Sequence, residues 1–267
     1  MKVTREELIE IVKSASVDAD LNYLDVSDIT DMSWVFDGAS FNGDISRWDV
    51  SNAASMAGMF RGSSFDGNIS SWDTSSVVNM GNMFDSSKFN GDISQWNVGC
   101  VIEMGWMFYN SEFNQDISSW DVSNVTSMAY MFTSSKFNRD ISNWNVSSAT
   151  NTGGMFASSV FNGDISNWDV SSVKDMSYMF DASLFNGDIS RWDVSSVDTM
   201  SNIFRNSLFN GDISKWDVSR VRDMSSMFLG SNFSGDISDW EVSSNVKSTN
   251  MEHLSRFSGQ LPLGLKV

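Results

Sequence analysis

The chain has 267 residues, 34 of them acidic and 17 basic, for a formal net charge of -17. Such an acidic balance sets it against nucleic acid and anionic membrane surfaces as partners. Its one cysteine, Cys100, excludes an intrachain disulfide framework. The length exceeds a usual single-core domain, but a repeat array grows by adding units and needs no second core.

The first twenty residues stand outside any repeat. Thr4 and Glu7 have capping-box spacing, and Leu8, Ile11, Val12 and Ala15 follow at helical intervals. These features predict an amphipathic helix whose apolar face covers the start of an array. The alternative, a membrane-surface helix, has only a short face flanked by acids to stand on. There is no apolar core of signal-peptide type at the N-terminus, and no apolar run long enough to span a bilayer.

From Leu21 a repeat begins, first in degenerate form with Leu24 and Val26. Phe-Asn-Gly-Asp-Ile-Ser-x-Trp-Asp-Val-Ser then runs unbroken from Phe41 and returns from Phe161, Phe185 and Phe209. Tryptophan recurs at Trp48, Trp72, Trp96, Trp120, Trp144, Trp168, Trp192, Trp216 and Trp240, an unbroken 24-residue period. An inserted residue would throw one coil of a solenoid out of register with the next, so this strictness predicts stacked coils. Residues 1–267 are read as one solenoid domain, with a capping helix over 1–20, repeats over 21–243 and a degenerate C-terminal capping coil over 244–267.

Within a unit the apolar period changes. Trp48 and Val50 alternate with polar Arg47, Asp49 and Ser51, which suits a short strand with one buried face. Val77, Met80, Met83 and Phe84 fall on one side of a helical turn, with Ser75 or Ser76 as its cap. Asn42-Gly43-Asp44 supplies turn chemistry between the two, and Gln115 and Arg139 replace its glycine in two units, so positive φ is not demanded at every copy unless strain is tolerated there. All 19 phenylalanines keep the phases of Phe36 or Phe41, and every methionine but Met1 keeps those of Met56 or Met59, which marks ladders of core residues. Trp34 and Trp106 lie off the main ladder and are candidates for exposed contacts. Ala149, Thr152, Gly153 and Gly154 depart from the rule and mark the expected soft point of the array. After Val242 the pattern decays, although Met251, Phe257, Gly259 and Leu261 keep time; His253 is the only histidine, and Pro262, the only proline, fits a stop.

The unit Phe-Asn-x-Asp-Ile-Ser-x-Trp-Asp-Val-Ser-x-Val-x-x-Met resembles that of the BspA-like leucine-rich repeat surface proteins, specifically the DUF285 family of mycoplasma and other microbial surface proteins, over roughly residues 21 to 260. The resemblance implies an α/β repeat solenoid of leucine-rich-repeat type. It would have one short parallel strand, at Trp48-Asp49-Val50 and its copies, and one short helical segment in each coil. It also implies a surface or extracellular setting, and it brings no catalytic residues.

Three chemistries are weighed. The ladder Asp49, Asp73, Asn97, Asp121, Asn145, Asp169, Asp193, Asp217 and Glu241 would bring carboxylates to about 5 Å, where bound calcium is one solution. Asparagine at two positions, and Asn68 in the phase of Asp44, favours side-chain bonds to turn backbone instead, and no metal or other cofactor is expected. Catalysis lacks a distinct constellation, so no enzyme is expected. The remaining reading is a noncatalytic, monomeric scaffold that recognises a protein partner or serves adhesion. It would use the strand face through Arg47, Asp49, Asp73, Asp121, Asp169, Arg191, Asp193, Lys215 and Asp217. Its alternative is a carbohydrate or cell-wall binding module, which requires the tryptophan ladder to face solvent.

Overall fold

A computed structural model describes residues 1–251 and Pro262. The expectations for His253, Phe257, Gly259 and Leu261 lie outside the described residues. A single helix is present among them, α1 (Arg5–Ser14). Its capping box forms as expected. The Thr4 hydroxyl accepts from the Glu7 amide at 3.3 Å, and the Glu7 carboxylate accepts from the Thr4 amide at 2.8 Å. Leu8 and Val12 are buried and join the core of the first coil, while the Arg5 guanidinium donates to the Ser33 carbonyl at 2.5 Å. The helix therefore closes one end of the array, its apolar face spent on the protein itself. No helix among the described residues is long and apolar enough to cross a membrane.

The rest is a repeat solenoid. Parallel bridges join Asp31 to Ser55, Ser55 to Asn79 and so on to Asp223 and Lys247, each step one repeat along the chain. The strand expected at Trp48-Asp49-Val50 is not formed: those residues carry no strand pairing, and apart from Lys2–Asp25 and Asp20–Asp44 the bridges fall at the phase of Ser55. Alternation of Trp48 and Val50 reports inward and outward side chains correctly, but alternation does not say where backbone amides go.

The helical segment is also replaced. Met59 donates its amide to the Met56 carbonyl at 3.1 Å, and Gly58 between them has φ +60°, the signature of a type II turn. Ser63 donates to the Phe60 carbonyl with Gly62 at φ +60°, giving a second such turn. In a helix the amides would be used up four residues back. Here they point along the solenoid axis: Met56, Gly58, Phe60 and Gly62 donate to the carbonyls of Asn79, Gly81, Met83 and Asp85 at 2.7–2.9 Å. Ser75 consequently caps nothing and gives its amide to Asp73. The apolar spacing of Val77, Met80, Met83 and Phe84 fits both a helix and tandem turns, because either places them on one side. Only the inter-coil hydrogen bonds distinguish the two.

Each coil sends Phe41, Ile45, Trp48, Val50, Ala53, Met56, Met59, Phe60 and their copies into one continuous core. The rings stack on their own copies, Phe84 on Phe108 at 5.7 Å and Phe108 on Phe132 at 5.7 Å. Two further ladders join the coils. Each ladder tryptophan gives its indole N–H to a carbonyl of the preceding coil, as Trp120 does to Ile93 at 3.1 Å. Asn90 accepts from the Asn114 amide at 2.8 Å and Asn114 from the Asn138 amide at 3.0 Å, a side-chain rail in the phase of Asn42. The neighbouring Gly43 phase has no positive φ, so Gln115 and Arg139 sit there without backbone strain. In the irregular coil Ala149, Thr152, Gly153 and Gly154 are all buried, and the Thr152 hydroxyl reaches Met179 Sδ at 3.5 Å.

Candidate functional site

The acidic ladder comes first. Asp49, Asp73, Asp121, Asp169, Asp193 and Asp217 are exposed, and each accepts the amide of the serine two residues on, at 3.0–3.1 Å. Asn97 and Asn145 accept the equivalent amides of Gly99 and Ser147. The second acidic phase does the same, with Asp44 bonded to Ser46 and Asn68 to Ser70. An acceptor oxygen is what the turn uses, which explains why asparagine and aspartate exchange there. The serine bonds hold the carboxyls of Asp73, Asp121, Asp169 and Asp217 below the usual aspartate range. Among the described residues no three acidic, histidine or cysteine side chains converge on a point where an ion could sit. Chelator is accordingly expected to leave the thermal midpoint unchanged; a large drop restored by added calcium would contradict this.

Arg47, Arg191 and Lys215 are exposed in the segment preceding the ladder tryptophans. They line no cross-coil strand, because the backbone ladder runs instead through residues 54–62 and their copies. The ladder tryptophans face inward at 3–4% exposure, with the indole N–H already bonded, so they offer no platform to a sugar. The carbohydrate alternative loses the residues it was built on.

A different aromatic array does reach the surface, on the turn-bearing face. Trp34, Trp106, Tyr130 and Tyr178 share the phase of Gly58, the third residue of the first type II turn, and have φ of +64°, +62°, +58° and +61°. Glycine, asparagine or serine fills this position in the other coils, as Gly58, Asn82, Gly154, Asn202 and Ser226. Positive φ suits those small residues and is a true outlier for a bulky ring, with a cost of roughly 1–3 kcal/mol at each site. The second turn has the same φ requirement, yet carries only Gly, Ser, Asn and Ala. Bulky rings at positive φ are thus confined to the first phase, although Ala182 in the second turn also sits at φ +51°.

These rings form local assemblies. Trp106 stacks on Tyr130 with centroids 4.4 Å apart, and Tyr109 leans on Trp106 at 4.8 Å. With Thr133, Ser134, Tyr178 and Asp181 they line a shallow trough of about 290 Å³. Burial and then the nearby Asp175 charge push the Tyr130 hydroxyl above its usual range. At each end of the stripe a ring is covered by the chain's own arginine. Arg61 lies 5.0 Å over Trp34 and Arg205 lies 5.6 Å over Tyr178. Asp37 and Asp181 each grip that arginine through two oxygens, at 2.8 and 3.0 Å and at 2.8 and 2.6 Å. Trp34 and Trp106 stand out in the sequence as off-ladder tryptophans while Tyr130 and Tyr178 do not, although all four differ by whole multiples of the repeat.

Trp106→Asn is expected to leave thermal stability unchanged or slightly raised. Relief of roughly 1–3 kcal/mol of backbone strain offsets about 0.5–1.5 kcal/mol of exposed stacking. A melting point several degrees lower would show that the ring serves the fold.

In-register coils, an aromatic core and a single helical cap define a repeat solenoid. The family model described as "Mycoplasma protein of unknown function, DUF285" matches residues 6–112, 87–183 and 157–261, and the chain belongs to that family. No curated protein and no solved structure matches it.

Proposed function

We propose that this chain is a noncatalytic recognition scaffold that binds a protein partner through the turn-bearing face, residues 54–62 and their copies. The observation that carries the reading is the set of four aromatic residues kept at strained positive φ where glycine or asparagine would relax the turn. Bulky rings kept at positive φ at one surface phase, where small residues fill the same turn in other coils, point to a contact that uses those rings, and tryptophan and tyrosine are enriched at the energetic centres of protein interfaces. The repeat frame supplies the rest: identical backbone in every coil presents variable outward residues at fixed spacing. Adhesion at a microbial surface is the setting that the resemblance to BspA-like leucine-rich-repeat proteins supports.

The test compares what immobilised wild-type chain retains from its native environment with what two variant sets retain. Loss of a retained polypeptide with Trp106→Asn and Tyr130→Asn, and its retention with Arg47→Glu, Arg191→Glu and Lys215→Glu, is the expected pattern. The reverse pattern would move the recognition surface to the segment preceding the ladder tryptophans. Retention by both sets would sink a role for either.

A further inference from the structure

The two ends of the aromatic stripe show what its rings hold. At Trp34 and at Tyr178 the same three-part unit recurs: a ring at positive φ, an aspartate three residues on, and an arginine one coil later, stacked on the ring and gripped by the aspartate. Between them the rings of Trp106 and Tyr130 stand without such a cation. The positions that would supply it are Thr133 after Trp106 and Ala157 after Tyr130. Ala157 lines the trough, and so does the Asp181 carboxylate, whose two bonds to Arg205 leave acceptor capacity on both oxygens. The trough volume sits at the bottom of the range for small-molecule pockets, a size for one side chain and not for a whole ligand.

We infer that the trough between Trp106 and Tyr178 receives an arginine side chain from a basic segment of a partner protein, whose guanidinium stacks on the partly exposed rings and bonds to Asp181. The inference rests on the recognition reading above and names its chemistry. A guanidinium suits the site because it combines a flat face for stacking with donors for a carboxylate, and the chain already uses that combination twice. Charge favours it as well, since a net charge of -17 draws basic partners toward the surface before contact.

A labelled peptide of alternating arginine and glycine, titrated at physiological salt and followed by fluorescence anisotropy, tests this. Wild type is expected to bind it more tightly than the lysine counterpart of equal charge. Trp106→Asn and Tyr130→Asn should each weaken it about fivefold, the range of one stacked cation. Thr133→Asp combined with Ala157→Arg rebuilds the self-filled unit on Tyr130 with no change in net charge, and should close the site to the peptide. Equal affinity of wild type and both asparagine variants would overturn the inference, since binding would then be diffuse charge attraction. Binding of cellohexaose in place of the arginine peptide, lost in the same variants, would overturn it in favour of a glycan site. If the peptide fails while Trp106→Asn still loses a retained polypeptide in the capture experiment, the face stands and only the guanidinium chemistry falls.

Discussion

Trp120→Ala is expected to lower the free energy of unfolding by about 3–5 kcal/mol, the range for emptying a large aromatic core site. The ring is 4% exposed, packs 6.3 Å from Phe108, and donates its indole N–H to the Ile93 carbonyl of the preceding coil. Alanine leaves a void and removes the inter-coil bond together, while the Ile93 carbonyl keeps the Trp96 amide at 3.1 Å. Trp120→Phe separates the two effects, because it keeps most of the ring while removing only the indole bond between coils, at a cost of about 0.5–1.5 kcal/mol. Urea unfolding followed by circular dichroism measures both. A melting curve unchanged by Trp120→Ala would mean that the ladder does not hold the coils.

Acid is expected to unfold the protein progressively between about pH 4 and pH 2. The amide and hydroxyl of Ser46, then the Asn22 side chain, pull the Asp44 carboxyl down to about 2. Serine bonds also lower Asp92, Asp116, Asp140, Asp164, Asp188, Asp212 and Asp236, the copies of Asp44 in the later coils. A carboxyl whose folded value lies below its unfolded value of 3.8 binds fewer protons folded than unfolded. Its contribution is complete above the unfolded value and disappears as pH falls through the folded one. The thermal midpoint should stay level from neutrality to about pH 5 and then fall. Asp116→Asn with Asp140→Asn should shallow that fall, since Asn68 already fills this role uncharged. A midpoint that rose on acidification would show that relief of repulsion among the excess carboxylates outweighs the lost turn bonds.

The core was legible in the sequence almost residue by residue. Burial follows from hydrophobicity and phase, so a strict repeat announces its inward positions at Phe41, Ile45, Trp48, Val50, Met56, Met59 and Phe60 without any knowledge of backbone path. The helical cap was legible too, because a capping box is a local device that closes within four residues. The acceptor role of Asp49 and Asp44 could be read from their exchange with asparagine, a chemical clue independent of geometry. The expectation of strand plus helix fails for a definite reason. Spacings of three and four residues report which side chains share a face, and type II turns in tandem share them in the same way that a helical turn does.

The sequence by itself therefore determined the period, the inward residues, the acidic surface and the cap, since each depends on side-chain chemistry and local spacing alone. Only the tertiary structure decided where the amides of residues 56–62 go, because a hydrogen bond to a carbonyl one coil away has no signature within a single repeat. It also decided which aromatic residues meet solvent. Positive φ at Trp106, Tyr130 and Tyr178 follows from a turn enforced by its neighbouring coils, and that turn aims the rings outward to line one trough.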